Sequence, residues 1–105
     1  MTDPAVRIDL RAVLYREGAL WIAHCLELDI VAQGDTTAAA LAQLAELCGA
    51  QVHAAIEDAD LQSAFHAAPP EVWALYSRAA PAVLVPRLQP QTPINRFEYR
   101  ELRSA

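Results

Sequence analysis

Positive charge is scarce in this 105-residue chain: 8 basic residues stand against 13 acidic ones, for a net charge of −5. Neutralising a phosphate backbone takes clustered Lys and Arg, so direct nucleic-acid binding is not expected. An acidic balance fits solubility or a basic protein partner. Long apolar runs are missing too. No segment approaches the ~20 continuous apolar residues that span a bilayer, and the N-terminus has no basic region followed by an apolar stretch, so no membrane contact and a cytoplasmic location are expected. Cysteine is limited to Cys25 and Cys48, far apart and set in apolar patterns, which suits reduced, buried thiols. There is no Cys-x-x-Cys and no His-Glu-x-x-His, and His24, His53 and His66 are scattered, so a metal site is not expected. Without a glycine-rich phosphate loop or a dinucleotide fingerprint, no cofactor is expected either.

What is present is a foldable core. Residues are 54% hydrophobic, a figure raised by alanine, and 20% charged, which is a folding composition. The length fits a single domain spanning 1–105. Its core is expected in 6–60, followed by a proline-rich arm, a short helix and a final strand in 61–105. The centre is Gly18 to Thr36, two strands delivered onto one long helix. Asp35 and Thr36 are residue types that cap a helix N-terminus, and Gly34 allows a sharp turn out of the preceding strand.

From Val6 to Leu14 the even positions are apolar, while Arg7, Asp9 and Arg11 face the other way. This predicts a strand with one face buried. Gly18 then supplies the positive φ of a hairpin turn. The return strand, 19–26, is apolar on both faces, with Ile22 and His24 on one and Trp21, Ala23 and Cys25 on the other. One long helix covers only one sheet face, so the second face calls for a subunit interface or a C-terminal segment folded across it. A turn at 27–29 and a short third strand at 30–33 follow. Leu41, Leu44, Cys48, Val52 and Ala55 then repeat at helical spacing, and Asp58 and Asp60, which oppose the helix dipole, predict its end. Pro70 opens a short helix near 70–79. The stretch from Ala80 to Pro93 is too rich in proline for a regular element. Residues 94–102 alternate again and read as a strand at a sheet edge. The fold class is therefore α+β: a three-stranded antiparallel sheet, one long helix and a C-terminal strand, β-β-β-α-β, with a short extra helix.

The candidate site residues are Trp21, His24, Glu27, Asp29 and Trp73. His24 and Cys25 point to opposite faces of one strand, so they do not form a nucleophile pair. A lone histidine on an apolar face more often makes a structural hydrogen bond than performs chemistry. Glu27 and Asp29 lie on one side if the chain is extended and could form an acid–base pair, but a solvated turn is the plainer reading. Trp21 and Trp73 are residue types that anchor interfaces, with core packing as the alternative.

Read together, Gly18, Trp21, Ala23, Cys25-Leu26-Glu27, Asp29-Ile30 and Gln33-Gly34-Asp35-Thr36, followed by an alanine- and leucine-rich helix, resemble the HicB-like family. These are the antitoxin halves of bacterial toxin–antitoxin pairs and their stand-alone relatives. The resemblance covers residues 8–58. It implies a partial ribonuclease-H-like fold, a homo-oligomer, and a small basic HicA-type ribonuclease as the protein partner. Family members commonly add a DNA-binding module, but 61–105 match none, so a short member lacking one is implied. The expected function is a non-enzymatic antitoxin. The alternatives are an orphan oligomeric domain with no toxin, or a small ligand-binding or enzymatic domain using His24, Glu27 and Asp29.

Overall fold

A computed structural model describes residues 8–82 and 93–102. The first strand, β1 (Ile8–Glu17), returns through a two-residue loop to β2 (Leu20–Cys25). Gly18 stands at φ 64° and Ala19 is not at positive φ, the pattern of a hairpin turn whose first position favours glycine. A turn leads to β3 (Val31–Gly34) and then directly into α1 (Thr37–Glu57). Thr36 caps the helix, its hydroxyl accepting from the Ala39 amide at 3.0 Å. At the far end the Asp60 amide reaches the Ala55 carbonyl and the Ala59 amide reaches Ile56. That is a Schellman closure, with Ala59 at φ 53° where glycine is usual. A 3-10 turn at Leu61–Ala64 precedes α2 (Pro70–Arg78), which has proline in its first turn. The strands β4 (Ala80–Pro81) and β5 (Ile94–Glu101) complete the sheet.

The architecture is α+β, but the sheet has five strands in the order β3-β2-β1-β5-β4, not three plus one. β1 is antiparallel to β2 and parallel to β5. The final strand therefore lies beside β1 and is flanked by β4 at Glu101 and Arg100 only. Sequence alternation cannot reveal pairing direction, because it fixes faces and not neighbours. Most of the proline-rich stretch, 83–92, falls outside the described residues.

One sheet face packs on α1. Leu10, Ala12 and Leu14 of β1, Ala23 and Cys25 of β2, and Phe97 and Tyr99 of β5 meet Leu41, Leu44, Cys48 and Val52 of the helix. Each fully buried Leu or Val there contributes about 1.5–3 kcal/mol. Part of the opposite face is covered from within the chain. Val13 and Leu26 pack against Ala68, Val72 and Tyr76, so α2 supplies the cover for which a second subunit was one of two candidates. The reason is economical topology: the Leu26 carbonyl accepts from the Ala68 amide at 2.8 Å and the Glu27 carbonyl from His66 at 2.9 Å. Those bonds lead the chain back under the sheet just before Pro70 starts the helix.

Gly34 is needed for a different reason from the one its sequence position suggests. It is not at positive φ. A Cβ there would lie 2.8 Å from the Ala40 amide nitrogen and 2.9 Å from the Ala39 Cβ, so glycine permits the close approach of β3 to the first turn of α1.

Candidate functional site

The turn after β2 gathers most of the candidate residues, but it divides them between two separate partnerships. Cys25 closes the turn by donating to the Ile30 carbonyl at 2.8 Å, and Asp29 stands in the left-handed region at φ 54°. Aspartate tolerates that conformation better than most residues.

Glu27 turns inward onto β1. Its Oε1 accepts from the Arg11 backbone amide at 2.8 Å and its Oε2 from the Arg11 Nε at 2.7 Å. The hydrogen bond to Glu27 raises the Arg11 guanidinium above its already high value, so the arginine is charged at every relevant pH. The same guanidinium lies 5.1 Å above the Trp73 ring, within cation–π range. Trp73 in turn donates its indole N–H to the Ala68 carbonyl at 3.1 Å. Glu27, Arg11 and Trp73 thus form one clamp that fastens α2 across the sheet. Further along, Arg100 donates to the Tyr76 carbonyl and covers the Tyr76 ring at 4.3 Å, a second fastening of the same kind.

His24 and Asp29 form the other pair. Asp29 Oδ1 lies 2.6 Å from His24 Nε2; a carboxylate can only accept, so the ring donates there. His24 is buried among the β-strands, opposite Val13 on β1 and Val31 on β3, and its Nδ1 has no hydrogen-bond partner among the described residues. The structure does not bring Glu27 and Asp29 together as an acid–base pair: each carboxylate is committed to a different base. Trp21 sits on the opposite sheet face from His24, half-buried against the α1 core, with the Arg16 guanidinium 5.5 Å from its ring. Among the described residues no group of three or more His, Cys, Asp or Glu is placed to hold a metal ion. No helix of the described residues is long and apolar enough to cross a membrane.

Two features went unread in the sequence. Arg11 reads as a solvated residue of an alternating strand, yet it organises the clamp. Counting back from the Gly18–Ala19 turn would have found it, since the hairpin register places Arg11 across from Leu26, one residue before Glu27. The second is the distribution of charge. Nine of the 13 acidic residues and none of the 8 basic ones lie between positions 17 and 77, a net of 0 − 9 = −9. That span runs from the last residue of β1 through β2, β3, α1 and most of α2, whereas the described arginines sit on β1, at the last residue of α2 and on β5. None of the nine lies on β2 or β3 themselves: Asp29 and Asp35 flank β3, the strand that ends the sheet on that side, while Glu57, Asp58 and Asp60 sit at the C-terminal end of α1. A shallow cleft at the other side, lined by Asp9, Leu10, Arg11, Arg96 and Glu98, carries both signs and favours neither.

Set against known proteins, the chain matches no family model, no curated protein and no solved structure.

Proposed function

We propose that this chain is a non-enzymatic, cytoplasmic binding module of the HicB-like antitoxin type, a homo-oligomer whose protein partner is a small, basic, HicA-type ribonuclease. The observation that carries the reading is the charge segregation: residues 17–77 carry nine acidic residues, Asp35, Glu46, Asp58 and Asp60 among them exposed, and not a single Lys or Arg. Such a surface attracts a basic protein and speeds its encounter. The groups an enzyme would need are spent elsewhere. Glu27 is clamped to Arg11 and Asp29 to His24, which is a structural use of both carboxylates.

The test is to express the full chain, tagged, in its native host and identify what co-purifies. A small basic protein encoded beside it, recovered at equal stoichiometry and losing its ribonuclease activity in the complex, supports the proposal. Recovery of the protein alone as a stable oligomer refutes the antitoxin role.

A further inference from the structure

Between Asp29 and Asp35 the sheet ends in a short strand edge that is open at Val31. β3 is the outermost strand on its side of the sheet. Because Cys25 donates to Ile30 and backbone groups alternate in direction along a strand, the amides and carbonyls of Val31 and Gln33 point away from β2. The Gln33 amide is already taken, donating to Gln43 Oε1 of α1 at 3.1 Å. The Val31 amide and carbonyl have no partner among the described residues. Val31 is also 49% exposed, the most exposed of the large hydrophobic residues described. Native sheets blunt such edges with lysine, proline or inward charges. The opposite edge has Pro81 in β4; β3 reads Val-Ala-Gln-Gly, with no lysine, proline or charge, and is blunted only by its four-residue length and by Gln43 of α1 at Gln33, which leaves Val31 open.

Two carboxylates flank the bare edge. Asp35 follows β3 and is exposed, and Asp29, whose side chain is 33% exposed, precedes it. The nearest described cation along the sheet is Arg16, which lies beyond β2 and over Trp21.

We infer that the outer edge of β3 receives an extended segment of a basic protein partner, which adds a strand by pairing with Val31 and sets cationic side chains against Asp29 and Asp35. This rests on the proposed function and names the surface that serves it. The backbone of Val31 supplies register, its side chain asks for an apolar or small neighbour, and the two aspartates select cations about six positions apart along an extended chain. A second copy of this chain is the poorer occupant. Edge-to-edge pairing would bring Asp29 and Asp35 of two copies toward one another, and like charges across a strand pair are destabilising.

The probe is an amidated, fluorescently labelled nonapeptide of alternating arginine and valine, with an equally charged peptide bearing a central proline as control. Binding to the full-length protein is followed by anisotropy at low and at physiological salt. The strand-forming peptide should bind more tightly than the proline control and weaken with salt. Val31→Pro, which removes the outward amide, and Val31→Lys, which places a cation on the edge, should each weaken binding by about tenfold or more, the loss of roughly one good main-chain hydrogen bond. If V31P does not fold, V31K carries the test. D35N should weaken binding several-fold, while D58N, the same charge removal at the far end of α1, should not. Equal losses in D35N and D58N would mean diffuse attraction to an acidic protein and would overturn the assignment, as would V31K binding like wild type. A dimer that V31K dissolves and the peptide does not compete with would give the edge to a second copy. If a basic protein still co-purifies at full stoichiometry with V31K, the edge assignment falls while the proposed function stands.

Discussion

Replacing Gly34 by alanine should be among the most damaging single-methyl additions to this fold. The added Cβ would lie 2.8 Å from the Ala40 nitrogen, 2.9 Å from the Ala39 Cβ and 3.1 Å from the Ala39 carbonyl carbon. Carbon atoms pack comfortably at about 3.5–4.0 Å, so β3 and the first turn of α1 must separate by roughly 0.5–1 Å. Two of the three atoms belong to the backbone, so no rotamer change relieves the contact. The separation strains two bonds that span the junction, the Thr36 cap to Ala39 at 3.0 Å and the Gln43 bond to Gln33 at 3.1 Å. Overpacking costs about 1–3 kcal/mol, and a weakened cap adds about 1 kcal/mol. The expected total is about 2–4 kcal/mol. At roughly 4 °C or more per kcal/mol for a domain of this size, Tm should fall by about 8–16 °C or more in a calorimetric or circular-dichroism melt. Gly18→Ala is the control: it has open space around it and only a positive φ to strain, so it should lose about 1 kcal/mol. Adding Ala39→Gly to Gly34→Ala should not restore stability, because the backbone contacts persist. A Gly34→Ala protein within about 0.5 kcal/mol of wild type would refute the close-approach explanation.

Ala59→Gly should stabilise the protein by about 0.5–1 kcal/mol, since it relieves a left-handed alanine in a Schellman closure that is otherwise complete; urea denaturation reads the gain. Glu27→Gln should cost about 1–2 kcal/mol by weakening two charge-assisted bonds to a partly exposed Arg11, and it should loosen α2, seen as faster amide exchange at Val72 and Tyr76. Stability should also decline under alkali. The hydrogen bond to Cys25 and burial raise the Cys48 thiol above its ordinary 9.0, and burial raises the Tyr99 hydroxyl above 10.0. The unfolded chain then releases protons that the folded one retains, so the stabilisation is complete below pH 9 and is lost progressively as pH rises beyond it. A flat stability profile from pH 8 to 11 would contradict that burial.

The amino-acid sequence by itself determined the longer elements and their faces, but not β4, which lies at Ala80–Pro81 in a stretch too rich in proline to read as regular, nor the 3-10 turn at Leu61–Ala64. Period-two alternation marked β1 and β5, the Leu41–Ala55 stripe marked α1, and Thr36 and Pro70 marked where both helices begin, because each signal is local and acts within one or two turns of chain. Only the tertiary structure decided which strands are neighbours. That β5 runs parallel to β1, that α2 packs on the far face, and that Glu27 grips Arg11 all depend on contacts between residues distant in the chain, and no local propensity encodes them. The role of Gly34 was hidden for the same reason, since its methyl-sized gap exists only once helix and strand have met. The acidic stretch from 17 to 77 could be counted in the sequence, but that Asp29 and Asp35 flank the outermost strand follows from strand order alone.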